Sequence, residues 1–288
     1  MPTLKEIRTR IASVSSIRQT TSAMKMVSAS KLHRAQDRIV RLRPYAERMQ
    51  RIMEHVLRTV EGESEYAEQR ELQHLLIVVI ASNKGLCGAL NTNVVKEAIQ
   101  LAETEYGPLM RQGAVSFMAF GEKARALLKK KQVPLADAPF FQDQFDSQFT
   151  KPIADRLAAD FLAGRFDRII FVYHSFKNAA SQQLTCQTFL PFTPAPAAEP
   201  VRETDYILEP DKQTLRSVLL PDTLRLTCFR YFCEASASEH GIRMVVMHQA
   251  TDNADALTDT LTLQYNKARQ AAITSQLVEI VSSTEAQL

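Results

Sequence analysis

The segment Ser82-Asn83-Lys84-Gly85-Leu86-Cys87-Gly88 is where residue types and spacing come nearest to phosphate chemistry. It follows an apolar run and leads into Asn91-Thr92-Asn93, and a loop that opens a helix points free amides outward. The glycines stand at the wrong intervals for G-x-G-x-x-G or for a Walker A loop, so a structural turn is the stronger reading. The histidines, His33, His55, His74, His174, His240 and His248, are scattered, and no pair stands at Ser/His/Asp or metal-ligand spacing. Cys87, Cys186, Cys228 and Cys233 form no Cys-x-x-Cys pattern and read as reduced, partly buried thiols. No residue is assigned a catalytic, cofactor-binding or metal-binding role, although an enzyme built on an α/β domain stays open as an alternative. The run Arg34, Arg38, Arg41, Arg43, Arg48 and Arg51 raises an alternative, a coiled-coil nucleic-acid-binding protein. Only Tyr45 interleaves that run, so a solvated basic helix face accounts for it.

Charge and composition narrow the class. The net charge of +3 hides an asymmetry: residues 1–60 carry 13 Lys/Arg against 4 Asp/Glu, and residues 61–211 carry 15 against 20. With 45% apolar residues the chain can build a sizeable core, and 8 Gly with no Trp favours helix over a barrel or sandwich. The longest apolar run, residues 75–81, is far short of the ~20 residues a membrane-spanning helix needs. The first residues, Met1-Pro2-Thr3-Leu4-Lys5, show no signal-peptide pattern, and the chain is expected to stay inside the cell.

The elements that must position these groups fall into three parts. From Leu4 to about Val60 there is no Gly, and Ile7, Ile11, Val14, Ile17, Met24 and Val27 recur near helical spacing, which predicts one long helix loosened or kinked near Pro44. A middle domain over 74–205 alternates: strand 75–81, a helix opening near Asn91, strand 114–120, helix 121–131, helix 153–163, strand 168–174. A last strand at 185–190 precedes a proline cluster. That alternation predicts a Rossmann-like parallel sheet. From 212 to the end at 288 a second long helix is expected, with Pro221 and Gly241 as interruptions and Met244, Met247, Ala250, Ala254, Leu257, Leu261 and Ala268 along one stripe. Two long amphipathic helices bury their stripes most economically against each other. The fold class is therefore α/β: a long antiparallel coiled coil of N- and C-terminal helices with an inserted Rossmann-like α/β domain. Thr251 and Thr258 near core positions weaken the seam.

Several of these blocks together resemble the gamma subunit family of the F-type ATP synthase. The resemblance rests on Lys5-Glu6-Ile7-Arg8, Ala23-Met24-Lys25-Met26-Val27, Arg43-Pro44-Tyr45-Ala46 and Gly85-Leu86-Cys87-Gly88. Its most specific part is Ala250-Thr251-Asp252-Asn253 followed by Tyr265-Asn266-Lys267-Ala268-Arg269-Gln270-Ala271. It implies a central rotor stalk without an active site of its own, with alpha and beta subunits, an epsilon subunit and a membrane c ring as partners and no nucleic acid. Arg269 and Gln270 would meet a beta-subunit loop, and Met24 and Lys25 a beta-subunit lever segment. Tyr206 and Glu209 would lie in the foot, against epsilon and the c ring. The expected location is peripheral, on the cytoplasmic face of a bacterial inner membrane, reached through other subunits. Lys25 departs from the acidic residue common in relatives, as Asn83-Lys84 does from Asp-Arg.

Overall fold

A computed structural model of the protein describes residues 3–59, 65–142, 145–179, 181–192 and 212–285. In chain order the elements are α1 (Leu4–Thr59), β1 (Leu75–Ile80), α2 (Leu90–Thr104), α3 (Gly107–Arg111), β2 (Val115–Phe120), α4 (Glu122–Lys130), β3 (Leu135–Ala136), α5 (Ser147–Leu162), β4 (Arg168–Phe176), β5 (Gln182–Leu190) and α6 (Lys212–Glu285). The fold is mixed α/β, with long N- and C-terminal helices and a central sheet. Two compact units divide the chain: Met1–Ala29 with Arg243–Leu288, and Ser30–Ile242. Among the described residues no helix is long and apolar enough to cross a membrane.

Within the Ser30–Ile242 unit the sheet runs β3-β2-β1-β4-β5. β1 pairs in parallel with β2 and β4, and β2 with β3, as the alternating pattern predicts. The last strand departs from the expectation: β5 is antiparallel to β4. The connection over residues 177–181 is too short for a crossover, so the strand must turn straight back. All six residues of β1 are buried, which is why Leu75–Ile80 reads as an unbroken apolar run. Leu75, Ile77 and Val79 pack with Val94 and Ala98 of α2 and with Ala124 and Leu128 of α4.

Aromatic side chains join α6 to the sheet. Phe232 sits edge-on to Phe120 at 4.9 Å between ring centroids and within 5.5 Å of Phe141 and 5.8 Å of Phe145, and Tyr231 lies 5.1 Å from Phe171. Such edge and tilted pairs add about 0.5–1.5 kcal/mol each beyond the area they bury. The Phe-rich stretch before α5 thus supplies apolar wall.

One helix overruns its expected start, and the two long helices run on through the prolines and glycine expected to kink or interrupt them. α5 starts at Ser147, six residues earlier than the sequence predicts, because the Asp146 carboxylate caps it by accepting from the Phe149 N–H at 3.0 Å. α1 continues through Pro44, and α6 through Pro221 and Gly241. At Gly241 the reason is close approach: an added Cβ would stand 3.2 Å from Gln182 Nε2 and 3.3 Å from the Ala179 carbonyl. Glycine lets the helix backbone pass this close to the β4–β5 turn, which offsets its propensity cost of about 1 kcal/mol. α3 begins at Gly107-Pro108, where proline opens a helix instead of ending one, and β3 spans only two residues.

A second set of contacts ties α1 to this sheet. Arg43 Nη2 donates to the Phe176 carbonyl at 2.8 Å and lies 3.9 Å from the carboxylate of Glu234 on α6. Glu234 also accepts from the Ser175 hydroxyl at 2.8 Å, so one buried carboxylate is shared by α1, β4 and α6.

Candidate functional site

In the unit formed by Met1–Ala29 and Arg243–Leu288, α1 and α6 face each other in antiparallel order. Ile11 and Val14 of α1 pack with Ala254 and Leu261 of α6. One turn further along α1 the seam turns polar. Arg18 pairs with Asp255, the Thr21 and Thr251 hydroxyls stand 2.9 Å apart, and the Lys25 ammonium lies 3.3 Å from Nδ1 of His248. Each step of three or four residues forward on α1 is matched by a similar step back on α6, so the pairing holds one register. His248 Nδ1 also lies 3.3 Å from the Asp252 carboxylate. Without a hydrogen this nitrogen accepts from Lys25; in the tautomer that carries one it donates to Asp252.

The candidate contact residues occupy two separate places on this unit. Met24 is half-buried, and its carbonyl accepts from the Ser28 hydroxyl at 2.8 Å; Lys25 is half-buried beside His248. Arg269 and Gln270 are exposed on α6, and Arg269 forms no ion pair with another described residue. They lie 21 and 22 residues beyond His248, about 32 Å along a helix, so the two pairs are not brought together. Past Gln270 the helix exposes Ile273, Leu277 and Ile280 at 46%, 57% and 61%. Tyr206 and Glu209 lie outside the described residues.

The loop after β1 bonds to itself. Asn91, buried on α2, accepts from the Ser82 N–H at 3.0 Å and donates to Cys87 Sγ at 3.2 Å, while the Ser82 hydroxyl donates to the Lys84 carbonyl at 2.6 Å. These side chains hold the turn shape, in keeping with the structural reading of the motif. Among the thiols, Cys87, Cys228 and Cys233 are buried and Cys186 is exposed. Burial pushes the Cys233 thiol up to about 12, which keeps it protonated and unreactive near neutral pH.

Sequence reasoning singled out Thr251 but not its partner Thr21, nor the Arg18–Asp255 pair. The usable signal was the seven-residue interval joining Ile7, Val14, Thr21 and Ser28, which keeps a side chain facing the second helix even where it is polar.

Comparison with known proteins decides what this arrangement belongs to. The sequence pattern of the ATP synthase family matches residues 3–287. The ATP synthase gamma chain of Flavobacterium psychrophilum is 44% identical over 288 residues, covering 99% of both chains. That of Cytophaga hutchinsonii is 43% identical over 295 residues, again covering 99% of both. The chain belongs to the ATP synthase gamma chain family. Its fold also matches a chain of the Euglena gracilis mitochondrial ATP synthase, in a structure of OSCP, F1 and c-ring, with a TM-score of 0.69 at 21% identity over 99% of this chain and 94% of that one. A chain of the Tetrahymena thermophila mitochondrial ATP synthase central stalk and c-ring gives 0.57 at 23% identity, covering 80% of this chain and 99% of that one. Membership in the gamma chain family accounts for the terminal helices and the inserted sheet together. It leaves the nucleic-acid-binding alternative without support.

Proposed function

We propose that this gamma chain is the central rotor stalk of a proton-translocating F-type ATP synthase. It turns inside the alpha/beta catalytic head and couples ion flow through the membrane sector to ATP synthesis or hydrolysis. The observation that carries this reading is the register-locked pair of helices at residues 1–29 and 243–288, with Arg269 and Gln270 exposed on its surface. A single Arg has five planar donors suited to a carboxylate and lies on one side of the shaft, so it distinguishes among three otherwise equivalent beta subunits. The chain supplies no active site; it forces the catalytic subunits through different states.

In this reading Arg269 and Gln270 contact a beta-subunit loop, and Met24 and Lys25 a beta-subunit lever segment. Tyr206 and Glu209 meet the epsilon subunit and the c ring. Residues 1–60 and 212–288 serve as the shaft and 74–205 as the foot domain. The excess of Lys and Arg over residues 1–60 attracts acidic partner loops at every angle without one fixed salt bridge. The chain is held at the cytoplasmic face of the inner membrane by the other subunits.

The test is ATP hydrolysis by purified cognate alpha and beta subunits with and without the chain, with stoichiometry measured on the assembled complex. Activity gained in a complex of one copy per three alpha and three beta supports the stalk. No complex and no gain refute it. Arg269→Ala is expected to leave the fold intact and weaken coupling, read as ATP-driven proton pumping per ATP hydrolysed; unchanged coupling removes Arg269 from the contact.

A further inference from the structure

Two adjoining cavities follow α1 within the Ser30–Ile242 unit. The first, about 250 Å³, is lined by Lys31, Arg34 and Arg38 of α1, by Phe145, and by Ser236 and His240 of α6. The second, about 500 Å³, shares Arg34 and Arg38 and continues to Arg41, Tyr45 and Phe229. Positions 31, 34, 38, 41 and 45 advance by three or four residues, so they share one helix face, and the four cations span about 15 Å. The one acid in the lining is Asp37, which lies 3.7 Å from His33. Lys31, Arg34 and Arg41 form no ion pair with another described residue.

The cationic wall is held in place. Arg38 Nη1 donates to the Phe145 carbonyl at 2.8 Å and its guanidinium lies over the Phe145 ring, 5.6 Å from the centroid. Phe145 is itself fixed among Phe141, Phe149 and Phe232. Neighbouring like charges on one helix face repel, and an anion seated between them relieves that repulsion. Arg forks pair bidentately with phosphate oxygens, Lys31 adds a point charge, and the Ser236 hydroxyl supplies a neutral donor. The smaller cavity is below the usual size of a whole-ligand pocket and suits a charged head group; the larger opens toward Tyr45 and Phe229, whose rings offer flat apolar surface.

From this geometry we infer that the groove binds a phosphate-bearing anion, a diphosphate group seated among Lys31, Arg34 and Arg38. The diphosphate is free pyrophosphate or the phosphate end of a nucleoside diphosphate. This site is distinct from the loop after β1 and shares no residue with Met24, Lys25, Arg269 or Gln270.

The test is calorimetric titration of the purified full chain, in roughly 0.1 M salt, with inorganic pyrophosphate and separately with ADP. Saturable binding at one site per chain is expected, weakened at least about tenfold by Lys31→Gln and by Arg34→Gln. Arg38→Lys keeps the charge but loses the fork, and is expected to weaken binding while the urea midpoint stays near that of the parent chain. Arg48→Gln, exposed on α1 outside both linings, is expected to bind as the parent does. ADP binding at least about tenfold tighter than pyrophosphate assigns the Tyr45 and Phe229 side to the nucleoside; equal affinities assign the site to the diphosphate alone. No saturable binding of either probe up to about 1 mM, or binding that Lys31→Gln and Arg34→Gln leave unchanged, overturns the inference.

Discussion

Replacing Arg43 with Met tests whether the carboxylate shared by α1, β4 and α6 holds the Ser30–Ile242 unit together. Met keeps the apolar stem and removes two interactions. The first is the charged hydrogen bond to the Phe176 carbonyl, 2.8 Å long, of a kind worth about 1.5–3 kcal/mol. The second is the cation beside Glu234, whose side chain is only 8% exposed. Stripping a fully buried carboxylate of its partner costs about 3–5 kcal/mol. Here the pair is 3.9 Å apart and Arg43 is 43% exposed, so solvent screening reduces this to about 1 kcal/mol. The expected total is about 3 kcal/mol, read as a shift of the urea midpoint at unchanged slope, followed by circular dichroism. Glu234→Gln separates the two contributions, since Gln is uncharged and still accepts from Ser175. In that background Arg43→Met should cost about 2 kcal/mol, which leaves a coupling of about 1 kcal/mol. A loss below about 1 kcal/mol for Arg43→Met alone, or the same loss in both backgrounds, refutes the reasoning.

Gly121 has φ of 105°, and an added Cβ would stand 2.7 Å from the Ala81 carbonyl carbon. Gly121→Ala therefore combines backbone strain with overlap against immovable backbone and should cost about 2–5 kcal/mol in urea unfolding; a cost under 1 would show that the turn relaxes. His174 is buried on β4, and burial lowers its pKa to about 4 from its unfolded value near 6.5. The unfolded chain then binds the extra proton between those values, so stability falls as pH drops from about 6.5 to 4, by roughly 3 kcal/mol for this group. His174→Gln should flatten that slope in unfolding measured across the window, and an unchanged slope would assign it to other groups. In the seam, Thr21→Val with Thr251→Val replaces both hydroxyls by methyls of the same shape. Its thermal midpoint should match or exceed the parent's, and a loss above about 2 kcal/mol would contradict this.

What the sequence revealed followed the strength of its local signals. Leu75–Ile80 could be read as a buried strand because both of its faces are covered, and the two long helices because apolar residues recur at helical spacing over long stretches with few breakers. The errors came where tertiary contact overrides a local rule. Pro221 and Gly241 read as interruptions and Pro44 as a kink, yet α1 and α6 run on through all three, and at Gly241 the helix packs against the β4–β5 turn. Asp146 caps α5 six residues ahead of the expected start at 153, and the helix runs on through Pro152. β5 reverses direction because of a short turn, which alternation alone does not encode. At the candidate site, the Arg269-Gln270 motif was legible as a resemblance and Thr251 as a misfit in the seam. The pairs Arg18–Asp255 and Lys25–His248 needed the register between helices more than 220 residues apart in sequence, which no local pattern carries.

The polar stretch of the seam costs stability relative to a row of Leu and Ile, and its arrangement suggests why it is useful in a shaft. Apolar contacts such as Ile11 and Val14 against Ala254 and Leu261 are non-directional, and small alanines tolerate sliding. Hydrogen-bonded and charged pairs are not tolerant: a slip of α1 against α6 by one turn, about 5.4 Å, separates Arg18 from Asp255, Thr21 from Thr251 and Lys25 from His248 at once. Each contact is individually modest, about 0.5–1 kcal/mol when partly exposed, but they fail together, so the register is held more firmly than any one pair implies. A polar residue at a coiled-coil core position trades stability for register in the same way. For a stalk that transmits torque through two helices, slip between them dissipates the motion that should reach the catalytic subunits. In the stalk proposed above, a register lock at Arg18, Thr21 and Lys25 would serve the coupling even though none of these residues need touch a substrate.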